Sequence, residues 1–73
     1  MRKAVIDLGT NTFNLLIAEV ENDSLSILHK SKEAVLLGMG GINDGLLADD
    51  AITRALETLG RFLGICDDYS ISR

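Results

Sequence analysis

Ile6-Asp7-Leu8-Gly9-Thr10-Asn11-Thr12-Phe13-Asn14-Leu15-Leu16 is the stretch on which the fold turns. It begins inside an aliphatic, β-branched run over residues 4–8, which Gly9 stops as a strand stops at a tight turn. Thr10, Asn11 and Thr12 are the turn. The next run, residues 13–20, sets Phe13, Leu15 and Ile17 on one face and Leu16, Ala18 and Val20 on the other. A strand apolar on both faces is expected inside a sheet covered on both sides.

Outward from this hairpin the pattern repeats once. Glu21-Asn22-Asp23-Ser24 is a turn cluster, because Asn and Asp accept positive φ and bond to their own backbone. Residues 25–37 read as a third strand: Leu25 and Ile27 share a face, residues 29–33 are polar, and residues 34–37 are apolar again. Short turns between three strands make an antiparallel meander. A glycine-rich loop over residues 38–45 follows, then Leu46 and Leu47; the loop lacks the Gly-Lys-Ser/Thr ending of a P-loop.

A helix is expected to open near Asp49, where Asp49 and Asp50 cap free amides and suit the positive end of the dipole. Ile52, Ala55, Leu56, Leu59, Phe62, Leu63 and Cys66 then recur at spacings of three and four as an apolar stripe, with Arg54, Glu57, Thr58 and Arg61 away from it. Gly60 and Gly64, each costing about 1 kcal/mol in a helix interior, imply close approach of the helix to the sheet. Asp67 and Asp68 mark the exit, and Tyr69-Ser70-Ile71-Ser72-Arg73 reads as the approach to a fourth strand. His29 falls in a polar stretch and is expected in water, whereas Cys66 lies on the stripe as a small core residue.

Size and composition bound the function. A chain of 73 residues has only one cysteine and one histidine, so neither an internal disulfide nor a Cys/His metal site can staple it. Such a chain buries only about 60% of its unfolded surface. Yet 47% of its residues are apolar, enough to build a core, and an incomplete piece of a larger fold is therefore expected, with self-association of exposed apolar surface. A formal charge of −4 argues against nucleic acid or anionic lipid as partners, and any anion must be held locally. No run is long enough to span a bilayer, no signal-peptide core follows Met1, and the single cysteine fits the cytoplasm.

The chemistry resides in the first hairpin. A tip of Gly9 with Thr10, Asn11 and Thr12 lets backbone amides, hydroxyls and a carboxamide approach a phosphate closely, and Asp7 at the strand end can hold a divalent cation against phosphate oxygens. The same residues also suit a plain turn, and composition alone does not separate the two readings.

Asp7 to Leu16 resembles the first phosphate motif of the exopolyphosphatase and guanosine pentaphosphate phosphatase (Ppx/GppA) family. That family stands within the wider group of sugar kinases, actin and heat-shock chaperone ATPases, which share a ribonuclease H-like fold. Asn11 followed by Thr12, Phe13, a polar residue and Leu15 resembles the phosphatase branch. Leu37-Gly38-Met39-Gly40, Gly45 and Asp49-Asp50-Ala51-Ile52 follow the order found in that family, so the resemblance covers nearly the whole chain. Leu36, Met39 and Asn14 depart from it, standing where relatives often carry a basic residue, Glu and Arg.

The resemblance implies an α/β fold, the three-stranded antiparallel meander and helix of residues 1–73 forming an incomplete N-terminal portion of a ribonuclease H-like domain. It implies phosphate binding by Gly9, Thr10, Asn11, Thr12 and Asn14, a Mg2+ ion assisted by Asp7, and polyphosphate or guanosine pentaphosphate as substrate. The family's general base, a glutamate, lies further along the family's sequence, so residues 1–73 are expected to be inactive alone, with homo-oligomerisation as an alternative to self-association of a fragment. Phosphotransfer or ATP hydrolysis within the same superfamily, and a non-catalytic interaction module, are the other readings.

Overall fold

The computed structural model describes residues 1–37, 42–43, 46–47 and 49–71. Strands β1 (Arg2–Leu8), β2 (Thr12–Glu21) and β3 (Ser24–Ala34) form one antiparallel sheet in the order β1-β2-β3, and helix α1 (Asp49–Asp68) lies against one face of it. The expected meander and helix are both present. Between them, where a loop was expected, Ile42–Asn43 (β4) pairs antiparallel with Leu46–Leu47 (β5). Gly38, Met39, Gly40 and Gly45 lie outside the described residues.

The β2–β3 connection follows its sequence. Asn22 and Asp23 both take positive φ, 46° and 67°, the arrangement whose twist matches a two-residue hairpin. From Glu21↔Ser24 the ladder runs regularly to Ala18↔Ile27, and then Ile17 pairs with His29, leaving Leu28 as an extra residue in a bulge. Leu28 is half-buried and packs on the core.

Strand β3 stops at Ala34 rather than running to residue 37. The cause is a change of partner. The amides of Val35 and Leu36 both donate to the Asn11 carbonyl, at 2.8 and 3.0 Å, and that of Leu37 donates to the Thr10 carbonyl at 2.7 Å. Leu36 takes φ 53° to make this turn, a conformation costly for a residue with a Cβ.

The core forms between α1 and the face of β2 that carries Phe13, Leu15 and Ile17, with Val35, Phe62 and Cys66. Cys66 is therefore a core residue, as expected. The opposite face is not covered by any described residue. Val5, Leu25 and Ile27 are 60%, 62% and 50% exposed there; among the described residues only the helix side is closed, and of the second set on β2 only Ala18 is buried.

The helix sits rotated from its expected stripe. Ala51, Thr58, Phe62 and Cys66 are its buried residues, while Ile52, Leu56 and Leu63 are exposed. Thr58 is drawn inside because Arg54 and Arg61, both expected away from the sheet, reach strand β3 and its exit: Arg54 bonds the carbonyls of Val35 and Leu36, and Arg61 lies 3.4 Å from Glu33 while donating to the Thr58 hydroxyl. At the far end Ser70, with φ 61°, donates its amide to the Asp67 carbonyl, and Ile71 to that of Cys66. This is a Schellman closure, and Ile71 and Cys66 both belong to the core, as such closures favour. Tyr69 ties the helix end to the bulge by donating to the Leu28 carbonyl, with its ring beside His29. His29 is accordingly half-buried and bonded to the Ser31 hydroxyl, not simply in water as expected.

Gly60 and Gly64 are exposed, and a Cβ built on either meets nothing within 4 Å. The expected close approach to the sheet is therefore absent at both positions. Gly60→Ala and Gly64→Ala should each raise the unfolding free energy by about 1 kcal/mol through restricted backbone freedom in the unfolded chain, read as a higher denaturant midpoint at unchanged slope.

Candidate functional site

The bend between β1 and β2 is the place where the sequence-derived residues can be tested against geometry. Leu8 pairs with Phe13, and the Gly9 amide donates to the Thr12 carbonyl at 3.0 Å, closing the turn. A Cβ on Gly9 would stand 3.0 Å from that carbonyl oxygen, a tight contact that the turn would have to relax by a few tenths of an ångström, which favours glycine there. Gly9, Thr10 and Asn11 are exposed and Thr12 is half-buried, so the bend is open to solvent.

Its polarity is set from behind. The Thr10 and Asn11 carbonyls point to residues 35–37 and accept their three amides. Among the described residues the Thr10 and Asn11 amides donate to no carbonyl, and their side chains take part in no hydrogen bond. A turn whose carbonyls face inward and whose amides are unengaged presents partial positive charge outward, the polarity an anion requires.

Asp7 and Asn14 are direct partners across β1 and β2, and Lys32 is the partner of Asn14 across β2 and β3. The three stand in one row on the sheet face turned away from α1, since Asn14 alternates with the helix-facing Phe13 and Leu15. The sequence therefore named two members of a row of three. Lys32 escaped it because counting back from the Asn22-Asp23 turn sets Ser31 opposite Asn14; the bulge at Leu28 moves the pairing by one residue.

Asp7 is exposed, and no ion pair engages it among the described residues. Nowhere among those residues do three of His, Cys, Asp and Glu gather as a protein-only metal site. A single free carboxylate suits Mg2+, which keeps several waters and takes its remaining oxygens from a bound phosphate, but not a dedicated structural metal.

The bend is braced from α1. Arg54 donates from Nε to the Val35 carbonyl at 2.8 Å and from Nη2 to the Leu36 carbonyl at 3.1 Å, and Asp50 lies 3.4 Å from its Nη1. The same two residues send their amides to Asn11. Helix, β3 exit and bend thus form one chain of polar contacts, and Arg54 is a site-positioning residue that sequence reading placed only on a solvent face. No helix of the described residues is long and apolar enough to cross a membrane.

Comparison with known proteins follows the same segment. No protein-family model matches the chain. It is 42% identical over 74 residues to the bifunctional 3-dehydroquinate synthase/phosphatase of Fusobacterium nucleatum, covering 94% of this chain and 11% of that protein. It is 39% identical over 59 residues to the guanosine-5'-triphosphate,3'-diphosphate pyrophosphatase of Pseudoalteromonas translucida, covering 81% of this chain and 12% of that protein. An exopolyphosphatase crystal structure from Cytophaga hutchinsonii superposes with a TM-score of 0.92 at 45% identity, over 100% of this chain and 23% of that one. The chain thus spans less than a quarter of the length of each of these relatives.

Arg54→Ala should cost about 1.5–3 kcal/mol, the range for bonds to a charged donor, and should speed hydrogen exchange at the Val35, Leu36 and Leu37 amides. Arg54→Lys should recover less than half of that loss, because an ammonium cannot span two carbonyls as the planar guanidinium does. Unchanged exchange at those three amides in Arg54→Ala would show that the bend stands without the brace.

Proposed function

Because this chain shares the sequence and fold of the exopolyphosphatase and guanosine pentaphosphate phosphatase family, we propose that it supplies the first phosphate-binding bend of a phosphoanhydride hydrolase. The substrate class is inorganic polyphosphate or guanosine pentaphosphate. One observation carries this reading: the bend is open, its Thr10 and Asn11 carbonyls are held inward by residues 35–37, and the amides and side chains of those two residues are left for a ligand.

The residues divide the work as follows. The Thr10 and Asn11 amides, the Thr10 and Thr12 hydroxyls and the Asn14 carboxamide donate to the oxygens of the terminal phosphoryl group, orienting it and absorbing charge that grows on those oxygens as the anhydride bond breaks. Gly9 permits the close backbone approach. Asp7 would hold Mg2+ through water or directly, and that ion, when bound, offsets phosphate charge and polarises the phosphoryl group. No residue of this chain is assigned the deprotonation of the attacking water, so the 73 residues alone bind without turning over. The exposed Val5, Leu25 and Ile27 support self-association of the open face.

The test is an amide-resolved titration with orthophosphate and tripolyphosphate in the presence of Mg2+. Resonances of Gly9 to Thr12 should move, Thr10→Val should weaken binding by about threefold to tenfold, the loss of one hydrogen bond, and Asp7→Asn should remove the Mg2+ dependence. The same preparation should release no orthophosphate from polyphosphate. Shifts confined to other parts of the chain would overturn the reading. Sedimentation should show species above the monomer mass, and a monomer at all concentrations would contradict the expected self-association.

A further inference from the structure

We propose that Lys30 and Lys32 form a second anion subsite, which takes phosphoryl groups of a linear polyphosphate beyond the one held at the β1–β2 bend. The inference rests on the phosphate reading of that bend and extends it along the sheet.

The first observation is register. Lys32 is the direct partner of Asn14, and Lys30 the direct partner of Leu16. Both lysines therefore stand on the face that carries Asp7 and Asn14, and both are exposed. Being two residues apart on one strand, they are about 6.8 Å apart along it, an interval longer than one P–O–P repeat.

A second observation is the space they border. Asn14, Leu15, Leu16, Lys30, Ser31 and Lys32 line an open cavity of about 480 Å³. Asn14 is common to this cavity and to the row that begins at Asp7, so the cavity begins where the bend's own donors end. Its lining has two ammonium groups, no carboxylate and no aromatic ring on which a base could stack. That chemistry fits a repeating phosphate chain better than a nucleoside.

The third observation is charge placement. Two acids of β2 and β3 that face the helix side are engaged, Glu33 with Arg61 and Glu19 with Arg2 and the chain's amino terminus. Lys30 and Lys32 have no ion-pair partner among the described residues. In a chain of net charge −4, this face keeps unneutralised positive charge beside the bend. Lysines on an edge strand also discourage strand addition, and the experiment has to separate that role from ligand binding.

The protein is titrated with orthophosphate, long-chain polyphosphate and guanosine pentaphosphate, as wild type, as K30Q/K32Q and as K30R/K32R. In K30Q/K32Q, long-chain polyphosphate should bind at least tenfold more weakly while orthophosphate affinity stays unchanged. The slope of log K against log salt should become shallower by about 1 to 2, the effect of two lost cation–phosphate contacts. K30R/K32R should retain wild-type affinity, and guanosine pentaphosphate should lose less than polyphosphate. Equal polyphosphate affinity in wild type and K30Q/K32Q overturns the subsite. So does a K30Q/K32Q protein that aggregates but whose monomer binds polyphosphate normally, because the lysines then only guard the edge; should K30Q/K32Q not fold, the single variants Lys30→Gln and Lys32→Gln must each show part of the loss. Failure of orthophosphate to bind wild type would remove the bend reading alone, since the lysine effect is read on polyphosphate.

Discussion

Three amides decide the shape of this molecule's working end. Val35, Leu36 and Leu37 leave the β3 ladder and donate to the carbonyls of Asn11 and Thr10. Without those acceptors the apolar residues 34–37 would extend β3, and the bend's carbonyls would be as free to face outward as its amides. The left-handed turn at Leu36 is the local cost, and Arg54 offsets it by bonding the carbonyls of Val35 and Leu36 from the helix. The polarity of the bend is therefore a property of the β3 exit and of α1, not of the hairpin by itself.

The sheet divides charge as it divides hydrophobicity. On the helix side, carboxylates and cations meet within 4 Å, as Glu33 with Arg61 and Glu19 with Arg2, so that side is close to neutral where it meets the core. On the other side, lysines and Asp7 stand apart from one another across the strands. A chain with an overall negative charge thus presents local positive charge along one strand, a field felt only at short range.

Much of this was legible in the residues because local and long-range signals agreed. Gly9 and Asn22-Asp23 fixed both hairpins through backbone chemistry that few other residues allow, and alternation from Phe13 to Ile17 identified the core face. The candidate residues Asp7, Gly9, Thr10, Asn11, Thr12 and Asn14 lie on one open bend and the adjoining row. What the sequence concealed was orientation. An apolar band on α1 broad enough to include Ile52, Leu56 and Leu63 has more than one way to face a sheet, and two arginine anchors selected the one that buries Thr58. Nor could periodicity show that no described residue lies over the sheet's second face, since Leu16, Ala18 and Val20 read alike whether covered or not.

The extra residue at Leu28 links strand length to chemistry. The same full-length strand paired without the bulge would keep the Asn22-Asp23 turn but set Lys30 opposite Leu15 and Lys32 opposite Phe13, driving two ammonium groups into the hydrocarbon interior beneath α1. The bulge is thus what lets β3 hold one residue more than a regular ladder admits while both charges stay on the outer face.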